Sequence, residues 1–259
     1  MNNTSPLVIS GENLSHVWAR IFLHIIDNSG KEIAPLVVSI TGLKNNIIQE
    51  DREIRVALDK CLKSNGKQEV HTVANTIFPE SLWRRSKDRK DLFERYQKNL
   101  PRIKALAKTK NSRGVYFERL ISFGSGPENG NQLEYIISQY NSRSGVRRTM
   151  FQLSIFDPGR DHVTNPRLPF PCLQHISFVP NNKEKSLKLN AFYATQQIFE
   201  KAYGNYLDLC RLGKFIASEM NLEFSGLYCL IGVAKMDTIK KSDDSLTELK
   251  ELARNCLED

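Results

Sequence analysis

LPFPCLQHISFVP at residues 168–180 decides how this chain is read, with LKLNAFYATQQIFEKAYGNYLDLCRLGKFIASEMNLE at 187–223 and GLYCLIGVAKMD at 226–237. Cys172 stands between Pro171 and an alternating segment, 173–179, that reads as a strand. Pro169 and Pro171 fix the approach of the chain to that strand. A thiol at the mouth of a strand acts as a nucleophile when its surroundings favour the thiolate. An isolated cysteine is more often a small buried hydrophobe. His175 lies three residues further on, so along a strand it points away from Cys172, which argues against a simple Cys172–His175 dyad.

Outward from this stretch, the 259 residues with 40% hydrophobic content read as a single α+β domain spanning 1–259. Residues 13–26 open on a capping pattern and place Leu14, Val17, Trp18, Ile21, Phe22 and Ile25 at helical spacing. The sequence predicts a strand at 36–41, a helix at 50–63, and a helical or mixed segment at 70–83 broken by Pro79. A charged helix follows at 91–108, then a strand at 115–123, a short helix at 132–140 and an apolar strand at 149–156. The proline-rich loop 157–169 carries Arg160 and His162 either over a site or in solvent. Residues 242–258 read as a charged closing helix.

Composition sets bounds on function. There is no run of eighteen apolar residues and no signal-peptide layout in MNNTSPLVISGEN, so no membrane association is expected. Five cysteines, odd in number and widely spaced, form no metal or disulfide pattern; the expectation is no metal site, and reduced thiols in a cytoplasmic protein. The net charge of +8 is concentrated at 83–119, where Asp88, Asp91, Glu94 and Glu118 oppose a longer set of lysines and arginines. Such a segment is either a nucleic-acid surface or a solvated helix face. Without interleaved aromatics the second reading is favoured, and nucleic acid is not expected as a partner.

Taken in order, Tyr116, Asn131-Gln132-Leu133, Arg147-Arg148, Pro171-Cys172 and Tyr203-Gly204-Asn205 make the chain resemble the thymidylate synthase family, including its pyrimidine hydroxymethylase branch. The wording is nearest the short archaeal-type members, over about residues 110–240. The resemblance implies a mixed β-sheet flanked by helices and a sheet-to-sheet homodimer. It implies transfer of a one-carbon unit to carbon 5 of a pyrimidine nucleotide, with 5,10-methylenetetrahydrofolate as donor. Cys172 would add to carbon 6, with Tyr116 lining the cavity and Glu80, or Asn75 in its place, near the reacting base. Arg147 and Arg148 would reach the nucleotide phosphate in a neighbouring subunit's site, and Asn205 would read the base edge.

The departures from the family pattern are specific. Ala194-Thr195-Gln196-Gln197 stands where the family has Arg-Ser-x-Asp, so a phosphate arginine and the folate-site carboxylate are missing. Gln197 therefore argues against the folate donor. Lys235-Met236-Asp237 replaces the family's His-x-Tyr ribose reader, leaving Lys235 and Asp237 as polar groups for a different substituent. The turn at 27–30 lacks the arginine that the family places there.

The chemistry explains the residue types. Carbon 5 of a pyrimidine is too weak a nucleophile until a thiolate at carbon 6 converts the ring into an enolate. That route needs donors for the enolate oxygen and a group that fixes base identity. Arginines are planar forks for phosphate, and an asparagine offers both donor and acceptor to a uracil edge. Two other classes stay open: a non-catalytic dimer of the same fold that binds nucleotides or serves assembly, and a basic nucleic-acid-binding protein.

Overall fold

The computed structural model describes residues 5–41, 43, 47–165, 171–236 and 238–257. The elements run β1 (Leu7–Gly11), α1 (Leu14–Asp27), β2 (Glu32–Ile33), β3 (Leu36–Ile40), α2 (Arg52–Ser64), α3 (Val70–Val73), α4 (Glu80–Trp83), α5 (Arg89–Leu106) and α6 (Lys108–Asn111). They continue with α7 (Tyr116–Ile121), α8 (Gln132–Ser142), β4 (Gln152–Ser154), α9 (Pro158–Asp161), β5 (Leu173–Asn181), β6 (Ser186–Gln197), α10 (Tyr203–Glu219), β7 (Glu223–Lys235) and α11 (Thr247–Asn255). The fold is α+β: a mixed, open sheet in the order β1-β3-β7-β6-β5-β4, with β2 added beside β7, flanked by helices.

Local chemistry accounts for the main elements. Asn13 caps α1 by accepting from the Ser15 and His16 N–H groups, and Asp51 caps α2 in the same way. The apolar stripe of α1 is buried, with Trp18 stacked on Phe22 at 5.0 Å and its indole N–H donating to the Ile198 carbonyl at 2.9 Å. The long α10 lies against β6 and β7. Gly204 in its first turn allows close packing on α3, because a Cβ there would stand 2.7 Å from Val73.

The strand expected at 115–123 is a helix, α7. Its start is fixed by the Glu118 carboxylate accepting from the Val115 N–H at 3.1 Å. Phe117, Leu120 and Ile121 are buried at helical spacing, and Arg119 is buried because it is paired. The strand expected at 149–156 shrinks to β4, since Arg148–Met150 forms a helical turn first. Strands β1 and β6 add to the expected set. The segment at 70–83 divides around Pro79 into α3 and α4.

Burial alternates along the strands, so one sheet face supplies the core and the other is open. By register, Val8, Val37, Leu230, Phe192, His175 and Ser154 form one row across the open face. Val8, Leu230 and Phe192 in that row are 59%, 46% and 39% exposed.

Candidate functional site

β5 begins where β6 and β7 end, so Cys172, just ahead of β5, sits at the carboxyl ends of two parallel strands. The Cys172 carbonyl accepts from the Ala194 N–H at 3.0 Å, and the Thr195 hydroxyl lies 3.6 Å from its sulfur. β7 comes close here through Gly232, where a Cβ would stand 2.8 Å from the Ala194 carbonyl oxygen. Tyr116 opens α7, and its hydroxyl accepts from the Leu173 N–H at 3.5 Å. The structure thus brings Tyr116 beside Cys172 on a helix rather than on the expected strand. Burial pushes the Tyr116 phenol up to about 12, with Cys172 adding to the shift and N–H bonds from Leu173 and Cys172 opposing it. The phenol is therefore a neutral O–H at neutral pH.

Behind the cysteine lies a buried polar cluster. The Tyr206 hydroxyl donates to Gln196 Oε1 at 2.6 Å, tying α10 to the end of β6. Asn205, one residue earlier, is 7% exposed in the first turn of α10 and is not its N-cap. Asp208 follows at helical spacing from Asn205, fully buried, and accepts from the N–H groups of Ile77 and Phe78 at 2.6 and 3.0 Å. Burial pushes its carboxyl up, against those N–H bonds and the Arg211 charge. Tyr193, on β6 opposite Leu173, is fully buried among these groups. The sequence signal for Tyr193, Tyr206 and Asp208 was only their polarity within an apolar strand and helix.

Glu80 opens α4 and is held by Arg211 of α10 at 2.9 Å and by Arg84 at 3.1 Å. Arg211 also donates to the Ala74 carbonyl at 2.6 Å, so it clamps the 74–80 segment to α10. Asn75 bonds to the His71 carbonyl at 2.7 Å within that segment. Lys235 ends β7 opposite Gln197 and pairs with Glu32 at 3.6 Å. Asp237 lies outside the described residues, as does the 166–170 part of the loop ahead of Cys172. The described part of that loop is anchored: Asp161 and Arg119 form a buried bidentate pair at 2.6 and 2.7 Å.

Arg147 and Arg148 are not brought to Cys172. They precede β4, whose approach meets β5 at Phe178, where the Phe178 N–H donates to the Phe151 carbonyl. Six residues of strand separate Phe178 from Cys172, about 20 Å. Both arginines are exposed, and Arg147 lines a surface groove of about 440 Å³ with Arg143, Gly145 and Met150. His175 is bonded to Gln152 at 2.8 Å, apart from the cysteine.

Much of the basic segment is used internally. Arg84, Arg89, Arg95, Lys104 and Arg119 pair with Glu80, Glu134, Asp91, Glu118 and Asp161. Among the described residues no cluster of three or more His, Cys, Asp or Glu is arranged to hold a metal ion, and no helix is long and apolar enough to cross a membrane. No protein-family model matches the chain, and no curated protein matches it.

Proposed function

We propose that the chain is a thymidylate-synthase-like transferase whose Cys172 thiolate adds to carbon 6 of a pyrimidine nucleotide and so activates carbon 5 toward a one-carbon electrophile. The observation that carries this reading is the meeting of Tyr116 with the Cys172–Leu173 backbone at the strand ends, where the Tyr206–Gln196 bond ties the first turn of α10, which carries Asn205, to the end of β6. These residues are spread over ninety positions of sequence, and each belongs to the ordered set that resembles the family. In this reading Cys172 is the nucleophile, Tyr116 a neutral donor in the cavity, Asn205 the base reader, and Glu80 a carboxylate positioned by Arg211. Lys235 and Asp237 serve the sugar side.

The open sheet face supports a homodimer built sheet to sheet. Exposed Val8, Phe192 and Leu230 in one row give an apolar patch that a second copy would cover. Arg147 and Arg148, too far from their own Cys172, would then serve the partner's site and bind its phosphate. The one-carbon donor is 5,10-methylenetetrahydrofolate or another one-carbon carrier, with Gln197 weighing against the former. Five free thiols suit a reducing compartment such as the cytoplasm.

A second reading, a non-catalytic nucleotide-binding or assembly dimer, is favoured by Ala194: the position opposite Cys172 offers no cation. One experiment separates the two. Addition of the thiolate makes the carbon-5 hydrogen of uridine monophosphate exchange with solvent, with no one-carbon donor needed. The transferase reading expects exchange in heavy water with the wild-type protein and none with Cys172→Ser. Absence of exchange in both favours the non-catalytic dimer.

A further inference from the structure

At the end of β6 two buried donors lack an acceptor among the described residues: Tyr193 Oη and Gln196 Nε2. Their residues are 0% and 1% exposed, so bulk water does not answer them. Such donors cost stability unless something in the site accepts from them. Gln196 is oriented, because its Oε1 accepts from Tyr206 and leaves the amide N–H groups to face elsewhere. Tyr193 pairs with Leu173, the residue after Cys172. Burial pushes its phenol up, and Tyr116, Cys229, Tyr206 and Asp208 around it add to the shift, so it is an O–H donor at neutral pH.

We propose that Tyr193 Oη and Gln196 Nε2 donate to the 4-oxygen of the pyrimidine ring attacked by Cys172 and hold that oxygen as it becomes an enolate. This rests on the function proposed above. In the step, the Sγ–C6 bond forms while the C5–C6 π pair moves through C4 onto the oxygen. Solvent then supplies a proton to C5, and loss of a C5 proton with breaking of the Sγ–C6 bond restores the ring. No oxidant or reductant enters. Two donors answer an oxo group, whereas a 4-amino group would set its own N–H against them. The site therefore takes a 4-oxo ring over a 4-amino ring.

The test is calorimetric titration of uridine and cytidine monophosphates into the wild-type protein, Tyr193→Phe and Gln196→Glu, with carbon-5 exchange measured in parallel. Gln196→Glu keeps the acceptor for Tyr206 and removes the donor. Tyr193→Phe is expected to melt no lower than wild type, to bind uridine monophosphate roughly tenfold more weakly, and to keep its cytidine affinity. Exchange should fall in both variants. If both bind uridine monophosphate as wild type does and exchange as fast, the donor pair serves only buried solvent, and the Cys172 chemistry stands without it. If the wild type itself neither binds nor exchanges, the pair's role falls together with the function on which it rests.

Discussion

At the scale of single residues, the account turns on what surrounds one sulfur. Tyr116 is held by main-chain donors from Leu173 and Cys172, which fix its hydroxyl beside the start of β5. Tyr116→Phe removes one oxygen and keeps the ring. We expect it to leave the melting temperature within a few degrees of wild type and to slow carbon-5 exchange about tenfold or more. Unchanged exchange would reduce Tyr116 to a packing residue. The meeting of Tyr116 with Cys172 was legible only in part: the resemblance names both residues, but the sequence puts Tyr116 on a strand rather than at the start of α7. Tyr193 and Gln196 were not legible, because a buried donor without an acceptor is a property of three-dimensional surroundings and leaves no periodic trace. Arg147 and Arg148, which the resemblance assigns to a neighbouring subunit's site, precede β4 at the end far from Cys172.

Among the elements, α1, α2, α5 and α8 follow from their apolar spacing and caps, α11 from its spacing alone, and β3 from its β-branched run. In α7 a helix carries the period of a strand. Val115, Phe117 and Ile121 alternate over a short stretch and mimic a strand, while the buried Arg119 hides the helical stripe of Phe117, Leu120 and Ile121. Arg119 tolerates burial because Asp161, forty-two residues further along, and the Ile155 and Arg113 carbonyls accept from its guanidinium. The Arg119–Asp161 pair joins the helix carrying Tyr116 to the start of the loop leading to Cys172. Burial raises the Asp161 carboxyl, but the bonds from Arg119 and the Asp157 N–H outweigh it and hold it below the usual carboxylate range. A depressed folded pKa stabilises the fold above the unfolded value of about 3.9 and ceases to do so as pH falls through the folded value. Acid unfolding should therefore draw on this pair only below about pH 4. Asp161→Asn leaves the buried Arg119 charge without its counter-ion, and chemical denaturation at neutral pH should show a loss of about 3–5 kcal/mol. A loss below 1 kcal/mol would mean that the Ile155 and Arg113 carbonyls satisfy the guanidinium without a counter-ion.

For the whole molecule, the open sheet face is the main unfinished surface. Leu230 and Phe192 stand at its centre, on the two parallel strands that end at Cys172. If a second copy covers the face, light scattering should give twice the 29.6 kDa chain mass at micromolar concentration. Leu230→Lys should then yield monomers that keep the far-ultraviolet spectrum. A wild-type monomer would leave Arg147 and Arg148 with no site to serve. The central claim, that Cys172 is a nucleophile in a pyrimidine site, has a direct measurement of its own. Burial pushes the Cys210 and Cys229 thiols well above their ordinary range, which makes them internal standards for an inert cysteine. Site-resolved alkylation followed by mass spectrometry, with and without uridine monophosphate, compares all five thiols in one sample. The account predicts that Cys172 labels fastest and that the nucleotide protects it alone; labelling no faster than Cys210, with no effect of the nucleotide, would contradict it.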